Sequence, residues 1–501
     1  MKHQEENQQV GNRCCCRWLL GLGHKGSTFG ERRTYAGPRI GAGGRPMRHS
    51  IEQFQCDVVV AGSGIGGLTA ARTALELGAA VIVLEKAPES GGSAALSGGS
   101  AWTAANVDAW LSVQPGGDPL MGKALIENYL DGVAWYRTLG LEISDREAPY
   151  KFDRYVNDFK PDARTFMDGL AQSVEAAGGT ILTSTGLHGI RTGPDGAING
   201  VVARQGGRTV EVAARAVVLA TGGFQASPDL RARYFGRWAD RVIVRGNAFS
   251  TGDGFLAALD VGAGTAGPFG RFYGHMIPAP PAQTGVHNFA SVKPDFSEHA
   301  VFVNLHGERF DDEFLGDEVT VHAVVHQPEA LCFLVFDERV CSETPTGDGP
   351  AGSAGRRVQT IRDAGGEILE ARDLENLAVT MADRWGIPSR RLLATLTEHN
   401  AAAAAGDLGL LSVPRSGGLQ ALETPPFYAI RFLPGATFTY GGARSNARAQ
   451  ILDSTGMPIP GLFAAGADVG GLYTRGYTGG LAVGIAYGRI AGREASVLLA
   501  G

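Results

Sequence analysis

Gln55-Cys-Asp-Val-Val-Val-Ala61-Gly62-Ser-Gly64-Ile-Gly66-Gly67 carries two signals in one short stretch. Its first half is a run of β-branched apolar residues ending at a turn, the pattern of a strand buried on both faces of a parallel sheet. Its second half reads Gly-x-Gly-x-x-Gly. Gly62 permits a tight turn, Gly64 lets the main chain approach a pyrophosphate, and Gly67 lets the next helix pack close to the strand. Leu68 to Leu77 supplies that helix, Gly78 stops it, and Ala80-Val-Ile-Val-Leu84 is a second strand ending on Glu85. Unpaired N–H groups at the helix start attract phosphate. An acid at the end of the second strand is placed for ribose hydroxyls. A plain tight turn requires none of these flanking features, so the unit reads as dinucleotide-binding.

Outward from this unit, the chain has the composition of a globular protein. Its 501 residues suit two or three domains, and 44% hydrophobic with 19% charged residues is ordinary. Glycine is in excess, 73 residues against a background of ~7%, which suggests many close approaches of main chain to ligand or neighbour. A net charge of -6 does not suggest a nucleic-acid partner, and no apolar run reaches the ~18 residues of a membrane span. Residues 1–50 carry nine basic side chains against Glu5, Glu6 and Glu31, together with Cys14, Cys15 and Cys16. No metal-ligand spacing follows these cysteines. The leader is expected to be a disordered tail or an over-extended start ahead of Met47, with order beginning at residue 55. Cys56, Cys332 and Cys341 form no CxxC pair and fit a reducing compartment, so a cytoplasmic protein is expected. Gly196–Arg204 and Val210–Ala213 read as paired strands, Arg215–Ala220 as another buried strand. Asp373 caps a helix broken at Ile387-Pro388, Leu392–Ala405 reads as a second helix and Phe427–Phe432 as a strand. A small-residue helix is expected from near Gly480.

From about residue 55 to 495 the chain resembles the superfamily of fumarate reductases, succinate dehydrogenases and 3-ketosteroid dehydrogenases, and the resemblance implies FAD as cofactor. Five segments beyond the first motif carry it. Gly91-Gly92-Ser93-Ala-Ala-Leu-Ser97-Gly98-Gly99 is similar to the family loop over pyrophosphate and flavin. Val218-Leu-Ala220-Thr221-Gly222-Gly223 is similar to the strand end on the adenosine side, and Thr251-Gly-Asp253-Gly254 to a turn preceding the cap. Gly461-Leu-Phe-Ala-Ala-Gly466-Ala-Asp468 resembles a segment whose acid binds ribityl hydroxyls. Gly479-Gly480-Leu481-Ala482-Val-Gly484 resembles the helix start facing the flavin pyrimidine. With Gly62, Gly64, Gly66, Gly67, Glu85 and Lys86, these are the expected FAD-binding residues. Succinate dehydrogenases attach flavin through a histidine near the place of Gly92, so attachment here is expected to be non-covalent. The implied fold is α/β, a Rossmann-like FAD-binding domain discontinuous in sequence (51–267 and 437–501) with an inserted α+β substrate cap at 268–436.

The departures from the family bear on substrate. Asn304-Leu-His-Gly-Glu-Arg309-Phe-Asp-Asp-Glu313 matches a substrate-side pattern, although Arg309 and Glu313 read equally as a structural ion pair. Fumarate reductases place a proton-donating arginine shortly beyond it, near Asp317 here. Their substrate histidine and substrate arginine fall near Phe438-Thr-Tyr440-Gly-Gly442 and at Tyr477. Aromatic hydroxyls thus stand where a dicarboxylate would need cations. Arg475-Gly-Tyr477-Thr-Gly-Gly480 resembles the ketosteroid dehydrogenase stretch in which a tyrosine and a main-chain N–H hold the substrate ketone. Two donors on a carbonyl oxygen stabilise the enolate that forms when an α-proton leaves, and the flavin takes the β-hydrogen. The competing reading of Tyr477 is a packing aromatic. Tyr440, Tyr273 and His275 are the candidates for proton transfer, with Arg309 as a further catalytic candidate and Arg271 as a carboxylate ligand. Gly270–His275 and Arg309–Glu313 also resemble tricarballylate dehydrogenases.

The expected activity is FAD-dependent oxidoreduction of a CH–CH group next to a carbonyl, on a ketone or keto-acid. One alternative is oxidation of a polycarboxylate, with Arg271, His275, Arg309 or Arg475 converging on it. Another is a non-catalytic flavin-binding partner protein. No second Gly-x-Gly-x-x-Gly, haem CxxCH or iron–sulfur cysteine set is present, so an external electron donor or acceptor is expected beside the small-molecule substrate. No metal is expected.

Overall fold

A computed structural model describes residues 51–147, 153–346 and 353–500; the expectations for the leader, Cys14 to Cys16 and Met47 lie outside the described residues. The decisive stretch forms the strand Val58–Ala61, fully buried, followed by the helix Ile65–Glu76 and the buried strand Val81–Leu84. Order starts earlier than expected. Ile51–Gln55 is a separate strand that pairs in parallel with Arg208–Ala213, outside the dinucleotide sheet. Its solvent-facing, polar sequence hid it, because edge strands need no buried face.

Val58–Ala61 lies inside a six-stranded sheet. In order across the sheet run Gln450–Leu452, Pro458–Ala464, Ala216–Leu219, Val58–Ala61, Val81–Leu84 and Thr180–Leu182. All neighbours are parallel except the first pair. Register brings Ala61, Leu84, Leu219 and Ala464 level with one another, so four strand ends form one rim. Strands from both ends of the sequence therefore share one sheet. In such sheets ligands bind beyond the carboxyl ends of the strands.

The C-terminal helix Gly480–Ala500 lies against Ile65–Glu76. Glycines spaced four apart make this contact close. A methyl group on Gly484 would lie 2.4 Å from Ile65 Cγ2, one on Gly488 2.6 Å from Gly66 O, and one on Gly492 2.5 Å from Ala70 O. Part of the glycine excess is thus helix packing rather than ligand contact.

A second large sheet is organised around the strand Phe427–Thr439, which pairs with Phe272–Pro278, Cys332–Asp337, Ile368–Ala371 and Ile243–Val244. This strand runs well past Phe432 and through the expected boundary at 436/437, and Ile243–Val244 joins the sheet from ahead of residue 268. Helices Leu374–Trp385 and Ser389–Ala405 cover it, the first capped by Asp373 Oδ1 accepting from Asn376 N–H at 2.8 Å. Glycine at Gly386 in a left-handed conformation and Pro388 separate them. No described helix is long and apolar enough to cross a membrane.

Candidate active site

A cleft with about 1120 Å³ of empty volume, open to solvent, runs over the rim of the six-stranded sheet. Gly62, Gly64, Glu85, Lys86 and Leu187 line it, together with Gly92, Ser93, Ser97, Thr221, Gly222, Asn247 and Asp253. Tyr273, Thr437, Phe438, Gly466, Tyr473, Tyr477, Gly480 and Leu481 complete the lining. Gly66 and Ala220 also line it.

Glycine is required here by geometry. Gly62 has φ of +106°, and a methyl group on it would lie 2.1 Å from Ala220 O. A methyl on Gly67 would lie 1.9 Å from Gly62 O. Gly67 therefore serves by closing the turn and does not itself line the cleft. Apart from the chain neighbours, no atom of the described residues lies within 4 Å of where a methyl on Gly64 or Gly466 would sit, so main chain is open to a ligand there. Next to them the helix Ile65–Glu76 starts, presenting its unpaired N–H groups. Glu85 is buried, its Oε2 accepting from Ser63 N (2.9 Å) and Ser63 Oγ (2.5 Å) and its Oε1 from Ala87 N (2.6 Å). The carboxylate is thus fixed at the second strand end. Lys86 Nζ bonds Thr251 Oγ1 (2.5 Å) and Asp253 Oδ2 (2.8 Å), tying that strand end to the Thr251–Gly254 turn.

Three expected residues are held by contacts within the protein and do not line the cleft. Asp468 is buried behind the wall. Its carboxylate accepts from Thr221 N, from Gly222 N (3.2 Å) and from Thr221 Oγ1 (3.0 Å), joining two strand ends. Burial pushes its pKa up to about 6. Gly99, with φ of +75°, accepts from Phe159 N at 2.9 Å. Ala482 is fully buried in the C-terminal helix. Gly98 is exposed and also outside the lining.

Part of the lining is aromatic. Tyr273 and Tyr477 stack at 3.7 Å between ring centroids, and Trp102 meets Tyr477 edge-on at 5.1 Å. Tyr477 Oη accepts from Gly480 N–H at 2.8 Å, at the start of the C-terminal helix. Its proton is left for another acceptor. Burial raises the pKa of Tyr477 and Tyr273 above the usual phenol value, so both hydroxyls are protonated at neutral pH.

The other catalytic candidates lie elsewhere. Tyr440 is buried behind the cleft, stacked on Tyr473 at 4.6 Å, and does not line it. Tyr473 does, and its buried hydroxyl has no hydrogen-bond partner among the described residues. Nothing in its sequence setting marked it out. Arg309 is buried among fixed acceptors, donating to Glu313 Oε1 (2.8 Å), Glu313 Oε2 (2.6 Å) and Val413 O (2.8 Å). Arg415 adds a second cation to Glu313 at 3.1 Å. Arg309 is thus held in a buried ion pair and does not line the cleft. His275 also lies outside the lining, its Nε2 3.2 Å from Tyr273 Oη and its Nδ1 2.9 Å from Asp317 Oδ2. Arg271 and Arg475 do not line the cleft either; Arg271 Nη1 donates to Arg475 O at 3.4 Å. Arg245, which the sequence did not single out, stands 5.8 Å from the Tyr273 ring and donates to Thr437 Oγ1 at 2.8 Å.

A glycine-lined cleft with a fixed acid at the second strand end and two helix starts beside it fits a dinucleotide. A redox enzyme that holds its cofactor over a parallel sheet is the class it defines. The chain belongs to the FAD binding domain family, whose pattern spans residues 57–481, and it is an FAD-dependent oxidoreductase. It is 27% identical over 465 residues to a probable fumarate reductase, Ifc3, of Shewanella frigidimarina, covering 88% of this chain and 74% of that one. It is 28% identical over 558 residues to 4-oxocyclohexanecarboxylate 2-dehydrogenase of Sinomonas cyclohexanicum, covering 89% and 93% respectively. In three dimensions it is similar to 3-ketosteroid Δ1-dehydrogenase of Sterolibacterium denitrificans, with a TM-score of 0.70, 20% identity and coverage of 88% and 99%.

Proposed function

We propose that the protein exchanges hydrogen across a CH–CH bond adjacent to a ketone carbonyl, in the direction set by its external electron partner. In this reading residues 51–267 and 437–501 form a discontinuous Rossmann-like FAD domain, and 268–436 an α+β cap over its substrate end. FAD is held without a covalent bond, since Gly92 stands where an attaching histidine would be. Cys56, Cys332 and Cys341 are free, which supports a cytoplasmic setting.

One observation carries the reading: Tyr477 presents a protonated hydroxyl in the cleft, with its oxygen already engaged by Gly480 N–H. That proton is free to meet a carbonyl oxygen, and a donor aimed at developing enolate charge lowers the barrier to losing the α-proton. Tyr273, stacked against Tyr477 in the same wall, is the group to exchange that proton. The bound flavin supplies hydride exchange at the β-carbon. A polycarboxylate would need converging cations, yet Arg309 is saturated by Glu313 and His275 is paired to Asp317. The relative acting on 4-oxocyclohexanecarboxylate supports a cyclic ketone or keto-acid.

The test is anaerobic bleaching of bound FAD against cyclic ketones, keto-acids and polycarboxylates. Ketones or keto-acids should bleach it. Bleaching by polycarboxylates alone overturns the reading, and flavin that no acceptor reoxidises after photoreduction would favour a non-catalytic flavin protein.

A further inference from the structure

Behind Tyr273 lies a chain of buried polar groups that binding FAD or a ketone does not require. We propose that Tyr273, His275 and Asp317 form a proton relay, in which His275 exchanges a proton with the Tyr273 hydroxyl and Asp317 fixes the histidine ring. This rests on the ketone reading above and assigns the groups that move its proton.

The geometry sets the order. Tyr273 lines the cleft, and its Oη is 3.2 Å from His275 Nε2. On the opposite side of the ring, His275 Nδ1 is 2.9 Å from Asp317 Oδ2 and 3.1 Å from Oδ1. Asp317 Oδ2 also accepts from Met276 N at 3.1 Å, so the carboxylate cannot swing away without leaving a buried N–H unpaired. A carboxylate facing Nδ1 takes the ring proton there and leaves Nε2 as the acceptor facing Tyr273. Both His275 and Asp317 are buried, with side chains 2% and 8% exposed. A hydroxyl in the cleft wall, an imidazole and an orienting acid, bonded in that order, reproduce the logic of an activated hydroxyl in a catalytic triad.

The proton step balances without any oxidant. The substrate Cα–H bond breaks, its electron pair stays on the substrate as enolate, and its proton passes to Tyr273 Oη. The Tyr273 hydroxyl proton passes at the same time to His275 Nε2. The enolate oxygen faces Tyr477, and the imidazolium faces Asp317. In the reductive direction each transfer reverses.

The surrounding charges bear on the pH response. Arg245 follows the strand Ile243–Val244, Lys293 and Asp295 follow the helix Phe289–Val292, and Glu318 begins the helix Asp317–Val324 beside Asp317. Glu318 Oε1 is 3.6 Å from His275 Nε2, Lys293 pairs with Asp295, and Arg357 holds Asp295 at 2.7 Å. Burial lowers the His275 pKa well below its ordinary value, with Arg245 and Lys293 adding to it and Glu318 and Asp295 opposing. His275 is therefore neutral and able to accept. Burial raises Asp317 to about 7.

Hydrogen–deuterium exchange isolates this step from electron transfer. Dithionite-reduced holoenzyme is incubated in D₂O with cyclohexanone or 4-oxocyclohexanecarboxylate, and α-deuterium uptake is followed by NMR. Wild type should catalyse exchange. Tyr273→Phe, His275→Gln and Asp317→Asn should each slow it by roughly 10²-fold or more, the scale of a lost acid–base group. KM in turnover should move less than about threefold, because the relay acts on the transition state. Asp317→Glu should recover part of the rate, and the pH dependence of exchange near neutrality should vanish in Asp317→Asn. Wild-type exchange and pH profile in both His275→Gln and Asp317→Asn overturn the relay alone. Absence of exchange by the wild type removes the ketone reading and the relay with it. Tyr273→Phe cuts the first link without touching the buried ion cluster, so the test stands even if the other variants lose FAD.

Discussion

Replacing Tyr477 with phenylalanine removes one oxygen from the cleft and keeps the ring. The ring contacts with Tyr273 at 3.7 Å and Trp102 at 5.1 Å do not involve that oxygen, so the aromatic wall should stand. What changes is the hydrogen bonding. Gly480 N–H loses its acceptor at 2.8 Å, a stability cost of about 1–3 kcal/mol if water does not replace it. The larger effect falls on the reaction. A single donor aimed at an oxyanion is worth roughly 10²–10³ in rate, about 2.7–4 kcal/mol of barrier. FAD content, read from visible absorbance after gel filtration, should therefore match wild type. Bleaching of bound FAD by a saturated cyclic ketone, followed anaerobically in a stopped-flow instrument, should slow by at least about 10²-fold. Reduction by dithionite, which needs no carbonyl donor, should be unchanged and controls for flavin damage. Ketone bleaching within about twofold of wild type would refute the assignment and return Tyr477 to a packing role. A variant that loses FAD as well would place the Tyr477–Gly480 bond in the cofactor wall instead.

Three further substitutions separate scaffold from chemistry. Gly488→Ala places a methyl 2.6 Å from Gly66 O and 2.7 Å from Thr69 Cβ; overpacking of about 1–3 kcal/mol should lower the thermal midpoint and FAD retention together, and wild-type values for both would show that the two helices are not packed this closely. Arg309→Ala leaves the fully buried Glu313 with Arg415 as its remaining cation, so urea unfolding should show a loss of about 1–3 kcal/mol from the hydrogen bonds removed, while the folded fraction keeps its kcat; a kcat loss without a stability loss would restore Arg309 as a catalytic candidate. His322 is buried with Nε2 2.5 Å from Phe272 O, and burial lowers its pKa to about 4. Between about pH 6.5 and 4 the unfolded chain binds a proton there that the folded chain does not, so this group makes stability fall as pH falls, by ~1.4 kcal/mol per unit at most. His322→Gln should reduce the slope of unfolding free energy against pH in that window, and an unchanged slope would show that His322 is not held neutral.

The cofactor end was legible because its chemistry is written in backbone. Gly62 and Gly67 are glycine for reasons of distance that hold along a short stretch of chain, Gly64 leaves the main chain open, and Glu85 follows at the end of the next strand. Such local constraints survive in one dimension. The substrate end is assembled by topology. Tyr273 and Tyr477 are far apart in sequence and meet only because the strand Phe272–Pro278 and the loop before Gly480 converge on the same wall. His275 reaches Tyr273 within one strand, but Asp317 comes from a helix that the sequence read only as a departure from an arginine site. The same logic applies to charged residues that the fold pairs internally. Asp468 carries an acid in a recognisable segment, yet the folded chain uses it to tie Thr221 and Gly222 to the wall. Arg309 and Glu313 are four apart and pair locally before any ligand is considered. A charged residue in a recognisable segment is thus ambiguous until its partners are known. A glycine whose methyl would strike main chain at 2 Å is not. That asymmetry is why the cofactor follows from the chain itself, while the substrate rests on what Tyr477 and Tyr273 can reach.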